Sequence, residues 1–157
     1  MHDDLPYRPA AGIMLINPAR KVWVGQRLDS TLEAWQMPQG GLDKNEDARA
    51  GALRELEEET GIGAALVEII ACASRQFDYD LPPDLIGKLW KGRYRGQRQT
   101  WFLMRFLGRD EDVNILTPEP EFRAWKWAEP ADLPDMIVPF KRRLYSDVLA
   151  EFAPLLR

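Results

Sequence analysis

Histidine is almost absent. The only one is His2, at the extreme N-terminus, where domains seldom hold a catalytic group. A Ser-His-Asp or Cys-His relay therefore has no base, and histidine-rich zinc sites are excluded. Cysteine is equally scarce: Cys72 stands alone, so neither an internal disulfide nor a thiolate zinc site is available. No apolar run approaches the ~20 residues that span a bilayer. The opening MHDDLPYRP is acidic and lacks the apolar stretch of a secretory leader. There is no excess of positive charge either. The net charge is −4, so no global field recruits DNA or RNA, and any nucleic-acid contact must come from a local basic patch. These absences predict a cytoplasmic protein whose chemistry falls to carboxylates, lysines, arginines or tyrosines.

What remains is an ordinary globular balance, 45% hydrophobic and 29% charged, in 157 residues read as one domain over 1–157. Two apolar strands are expected at 8–16 and 21–27, with Asn17-Pro18 as the turn between them. A short strand is expected at 34–37, ahead of a Pro-Gln-Gly-Gly loop. A helix follows over 46–60, with Asp43 and Glu46 as a capping box and Gly61 as its C-cap. Strand patterns recur at 66–79, 100–107 and 122–128; in the last, Trp125 and Trp127 share one face and Lys126 the other. From Pro139 a second helix carries Phe140, Leu144, Val148 and Phe152 every four residues, an apolar stripe that should pack on the sheet. The pattern predicts a mixed sheet between helices.

The most specific stretch is GGLDKNEDARAGALRELEEETGI, from Gly40 to Ile62. At 100° per residue, Glu55, Glu58 and Glu59 fall within an arc of about 100°. Ala48, Gly51 and Ala52, one turn earlier, are expected to leave open space above that acidic face, while Leu53 and Leu56 anchor the opposite side. Three close carboxylates repel one another, and a hard divalent cation with a preference for oxygen, Mg²⁺ or Mn²⁺, relieves that repulsion. Arg54, four residues before Glu58, is expected to pair with it and leave the other two glutamates freer for metal. A run of charge by itself more often marks a solvated helix face.

The spacing G-x5-E-x7-R-E-U-x-E-E-x-G-U, with U a bulky aliphatic, is met without a gap by Gly40, Glu46, Arg54, Glu55, Leu56, Glu58, Glu59, Gly61 and Ile62. The segment thus resembles the box of the Nudix hydrolases, enzymes that cut a nucleoside diphosphate linked to a further group. The resemblance implies an α/β/α sandwich with a mixed β-sheet, the Nudix loop-helix and a C-terminal amphipathic helix. It implies Glu55 and Glu59 as principal metal ligands, Glu58 as a further ligand or neighbour of the metal, and a contribution from the Gly40 carbonyl. More than one Mg²⁺ or Mn²⁺ ion is expected. Further matches are YRP (7–9), AWQMPQGG (34–41), GQ-x-Q-x-WF (96–102), PEF-x-x-W-x-W (120–127) and FKR (140–142). Together they resemble the branch holding bacterial RNA pyrophosphohydrolases and asymmetrically cleaving diadenosine tetraphosphate hydrolases. In that branch a distal glutamate completes the metal site and can serve as general base. Glu121 takes that place, ahead of Glu119 on the aromatic spacing. The implied catalytic set is Glu58, Glu121 and Arg54.

The same resemblance places Arg8, Arg27 and Gln39 toward the substrate, with Phe140 as a platform for a base, Lys141 on a phosphate and Tyr79 as a further contact. The segment KLWKGRYRGQR (88–98) interleaves five basic residues with Trp90 and Tyr94, a mixture suited to a polyphosphate or RNA, or equally to covering a hairpin. Its Leu-Trp-x-Gly-x-Tyr-x-Gly-Gln pattern leans toward the tetraphosphate hydrolases. Two substrates are implied: the 5′-triphosphate end of RNA, trimmed with release of pyrophosphate, and diadenosine tetraphosphate, split to ATP and AMP. The rival expectation is a non-catalytic nucleotide- or RNA-binding module on the same scaffold, which should have lost box glutamates; none is lost. Oligomeric state is not readable.

Overall fold

A computed structural model describes residues 4–30 and 33–156; His2 lies outside the described residues. Among them are seven strands: β1 (Tyr7–Ile16), β2 (Val22–Arg27), β3 (Gln39–Gly41), β4 (Val67–Cys72), β5 (Phe77–Asp80), β6 (Gly96–Phe106) and β7 (Phe122–Ala128). Three α-helices accompany them: α1 (Ala48–Thr60), α2 (Leu133–Met136) and α3 (Arg142–Phe152). No helix among the described residues is long and apolar enough to cross a membrane.

β1 reads as an unbroken apolar run because both of its faces are covered: Ala10, Ala11, Ile13, Met14 and Leu15 are wholly buried. It pairs in parallel with β6 over its full length, from Tyr7 against Gly96 to Ile16 against Arg105. This parallel pair is the spine of the sheet, ordered β4-β6-β1-β2-β7. On one outer edge β3 takes the first half of β1 and β2 pairs at its end. On the other, β5 takes the first half of β6 and β4 the second. The sheet thus forks on both sides of its spine.

Alternation along the spine divides the core in two. Met14, Val22, Val24, Trp101 and Leu103 join Leu144, Tyr145, Val148 and Phe152 of α3 on one face. Ala11, Ile13, Leu15, Trp23, Phe102 and Met104 join Ala52 and Leu56 of α1 on the other. The expected sandwich is present. So is the split of β7: Trp125 meets Trp127 edge-on at 5.8 Å, while the Lys126 ammonium lies over Trp35.

Several local expectations are corrected. The stretch 34–37 is no strand; only Gln36 bridges, to Gly25, and the strand is Gln39–Gly41, whose glycines carry no β pattern. The segment 66–79 is two strands, broken between Cys72 and Phe77. Helix α1 begins two residues late, capped by Asp47, whose carboxylate accepts from the Ala50 N–H at 3.0 Å. Asp43 and Glu46 form a turn just before it instead. Gly61 ends α1 as expected, at φ 74. Phe140 does not continue the α3 stripe: the chain over Pro139–Lys141 is a tighter 3₁₀ turn, which rotates Phe140 outward to 37% exposure.

Tyr145 ties α3 to the loop ahead of β3: its hydroxyl accepts from the Met37 N–H at 2.8 Å, with both residues buried. Tyr145→Phe strands that N–H. The expected cost is about 1–3 kcal/mol, measured by urea unfolding; an unchanged midpoint would contradict this account of the tie.

Candidate active site

A cleft of about 610 Å³ opens where the forked sheet parts, lined by Arg8 of β1, Gln39, Gly40 and Gly41 of β3, Glu55 and Glu59 of α1, Tyr79 of β5 and Gln97 of β6. Arg27, Glu121, Phe140 and Lys141 close it from the β2, β7 and α3 side. Ten of the twelve residues singled out in the sequence therefore face one cavity. The other two, Arg54 and Glu58, are not in its lining.

Arg54 sits behind the acidic wall as a hub. Its guanidinium grips Glu46 through two bonds of 2.8 Å, reaches Glu55 at 2.9 Å and Glu58 at 3.1 Å, and donates to the Gly41 carbonyl at 3.1 Å. The expected pairing with Glu58 is present. The expectation that it frees both other glutamates is not: Glu55 is bound as well, and only Glu59 escapes the arginine. The open space expected beside the glutamates is also absent. Gly51 is covered by Leu42 and Glu46, and Ala52 is wholly buried, so these residues are small because the loop packs tightly on α1. Room for a carboxylate is made instead at Gly40, where a Cβ would run into Glu55; Gly41 makes room for the Arg8 guanidinium in the same way.

Glu59 is buried at 5% exposure, and its Oε2 accepts from the Gln39 N–H at 3.1 Å. Burial, then the charges of Glu55 and Glu121, push its carboxyl well above the usual range. Burial also raises Glu55, against the pull of Arg54. Glu121 enters from the start of β7, half exposed and 3.7 Å from Arg27. Glu119 is exposed and outside the cleft, whereas Glu121 lines it. Among the described residues no three acidic side chains have closed to chelating spacing. The donor set nonetheless fits a hard cation: burial and the nearby Glu121 charge disfavour the ionised forms of Glu55 and Glu59, and a divalent ion reverses that penalty.

The rest of the lining is largely basic and aromatic. The Arg8 guanidinium lies over Trp90 at 5.4 Å, and no carboxylate among the described residues is within ion-pair reach. Arg27 is held by Asp29 in two bonds of 2.7 and 2.6 Å. Lys141 stands over Tyr79 at 4.9 Å. Its side chain as a whole is half-buried, but its ammonium is enclosed, and that burial, with Arg27 nearby and Glu59 opposing, lowers it to about 8. Tyr79 and Phe140 face each other at 6.0 Å. In the basic segment, Arg95 and Arg98 are forked onto Asp80 and Asp78 and bracket Tyr7, each 5.0 Å from its ring.

Sequence reasoning missed Gln97, although Gln97, Gln99 and Trp101 alternate visibly on one strand face. It also missed the role of Glu46. Eight residues separate it from Arg54 and a loop intervenes, so no helical spacing relates the two.

Comparison with known proteins agrees with this geometry. The profile of the NUDIX domain matches residues 6–148. The chain is 59% identical over 154 residues to an RNA pyrophosphohydrolase of Sphingopyxis alaskensis, covering 98% of each. It is 59% identical over 148 residues to one of Roseobacter denitrificans, covering 94% of this chain and 92% of that one. Among solved structures, a C. elegans Ap4A hydrolase binary complex superposes with a TM-score of 0.71 at 21% identity, covering 95% and 97%.

The Glu46–Arg54 pair has a pH signature. Arg54 first, then the Asp43 N–H, lowers Glu46 from 4.5 to about 2. In that window the unfolded chain binds the extra proton, so the pair stabilises fully above about pH 4.5 and is lost as pH falls toward 2. The stability difference between wild type and Glu46→Gln, followed by urea denaturation, should shrink across that window; a pH-independent difference would count against the pair.

Proposed function

Since the chain belongs to the Nudix family and is a Nudix pyrophosphohydrolase acting on nucleoside polyphosphates, we propose that it trims the 5′-triphosphate end of RNA to a monophosphate with release of pyrophosphate. The observation that carries this is the cleft itself, where Glu55, Glu59 and Glu121 share one cavity with Arg8, Arg27 and Lys141. The 54–59% identity to proteins named RNA pyrophosphohydrolase supports the choice of RNA. Domain 1–157 acts as one unit, as a soluble cytoplasmic enzyme.

Members of the family use divalent metal ions. Here Glu55, Glu59, Glu121 and the Gly40 carbonyl would hold Mg²⁺ or Mn²⁺, more than one ion, with Glu58 at the outer edge. Such ions supply charge neutralisation along the phosphate chain and in-line placement of the attacking water. Arg8, Arg27 and Lys141 hold the phosphates, Gln39 supports them, and a base stacks on Phe140 beside Tyr79. Water adds to phosphorus, its proton passes to Glu121 or Glu58, and the bridging P–O bond breaks with pyrophosphate leaving. Arg54 keeps Glu55 and Glu58 aimed.

Diadenosine tetraphosphate is the second reading. Trp90 and Tyr94, edge-on at 6.2 Å, add an aromatic pair beyond the Tyr79–Phe140 pair, which suits a substrate with two bases. A non-catalytic binding module is disfavoured by the intact carboxylate set.

Turnover on triphosphorylated RNA and on diadenosine tetraphosphate, at equal enzyme and Mg²⁺, separates these readings; binding of both without cleavage of either would sink the enzymatic one. Glu59→Gln and Glu58→Gln should each lower turnover at least ~100-fold, about 2.7 kcal/mol of transition-state stabilisation, with the fold intact by circular dichroism. Near-wild-type rates would remove either residue from the mechanism.

A further inference from the structure

Gln97, Gln99 and Trp101 alternate along β6 on the face that meets α3, and all three are buried, at 2%, 1% and 0% exposure. They form a continuous hydrogen-bonded row. The Trp101 Nε1–H donates to Gln99 Oε1 at 2.8 Å, and Gln99 Nε2 donates to Gln97 Oε1 at 2.8 Å. Gln99 Nε2 also reaches across β1 to Gln39 Oε1 at 3.3 Å. That crossing depends on small residues. Opposite Gln99 in the register stands Ala10, and opposite Gln39 and Trp101 stands Gly12, whose Cβ would run into the indole.

The direction of the row is fixed at one end. An indole N–H donates only, so Gln99 must turn its carbonyl oxygen toward Trp101. Its NH₂ is then the group offered to Gln97 and Gln39, and each must accept with its own carbonyl oxygen. Both therefore direct their NH₂ groups away from Gln99. Trp101 cannot rotate to relax this, being wedged over Gly12 and met edge-on by Tyr145 at 6.2 Å. Gln39 and Gln97 line the cleft, Gln97 beside Arg8 in the register and Gln39 next to Glu59 through its backbone bond.

We infer that Trp101 and Gln99 set the amide polarity of the row so that Gln97 and Gln39 present N–H donors to the substrate's phosphate chain. Gln97 is then a substrate contact, and Gln99 and Trp101 are positioning residues. Ionised phosphate oxygens only accept hydrogen bonds, so a reversed row would offer them carbonyl oxygens and repel them. The inference rests on the polyphosphate reading of the cleft, but not on which nucleoside the chain carries.

Three variants test it, read by calorimetric binding of inorganic tripolyphosphate with Mg²⁺ and by kcat and KM on triphosphorylated RNA. In Gln99→Glu the ionised carboxylate accepts only, so Gln97 and Gln39 turn their NH₂ groups inward. The tripolyphosphate Kd and the RNA KM should both rise about tenfold while kcat moves less than threefold. Trp101→Phe releases the polarity without reversing it and should give a smaller rise. Gln97→Met removes the donor at nearly constant shape and should raise Kd even if Gln99→Glu does not fold. Wild-type Kd and KM in Gln97→Met, or a fall in kcat alone in Gln99→Glu, would overturn the inference. Weaker tripolyphosphate binding in the variants of a protein that cleaves no RNA would uphold it and overturn the proposed reaction instead.

Discussion

The site depends on one half-buried cation. Arg54 gathers Glu46, Glu55, Glu58 and the Gly41 carbonyl, so a single guanidinium fastens the loop 41–47 to α1 and aims two glutamates. Without it the acidic face would be a set of mutually repelling carboxylates on a helix with no reason to hold one arrangement. A network of this kind is stable only when every member is satisfied. Arg54 meets that condition with donors spread over four partners. It also determines which glutamate stands apart: Glu59 receives no arginine, only the Gln39 N–H, and is the most strongly desolvated acid of the wall.

What could be read from the sequence follows from how far a pattern reaches. The helix was legible because its periodicity and Gly61 lie within a few residues of one another. β1, β2 and β7 were legible because burial on one or both faces leaves an apolar or alternating signature. β3 was not: Gln39-Gly40-Gly41 has no side-chain pattern, and it is a strand only because β1 leaves a free edge beside Ala10–Gly12. The start of α1 was misplaced because Glu46, which looks like part of a capping box, spends its side chain on Arg54 as well as on the Asp43 N–H. Phe140 kept the four-residue spacing of α3 but not its geometry. Which residues face the cleft was legible chiefly through the resemblance, since convergence of β1, β2, β3, β5, β6, α1, the start of β7 and the turn before α3 leaves no local trace in any one of them.

The cleft gathers charge of both signs. A chain of net charge −4 nonetheless turns Arg8, Arg27 and Lys141 toward the cavity that Glu55, Glu59 and Glu121 also line. Arg27 stands between the two sets, held by Asp29 and drawn toward Glu121. Such a layout suits a ligand that is itself a string of negative charges, with basic side chains to meet it and carboxylates that favour a divalent cation beside it.

The fork of the sheet has a consequence for how such a protein can diversify. The acid wall is built from β3 and α1 on one side of the spine. The segment between β5 and β6 borders the cleft from the other side, and between them run the largely buried strands β1 and β6. Lengthening or recomposing residues 82–95 would reshape the far bank without disturbing the near one. The carboxylate bank and the bank that faces it thus belong to separate stretches of chain, free to change independently.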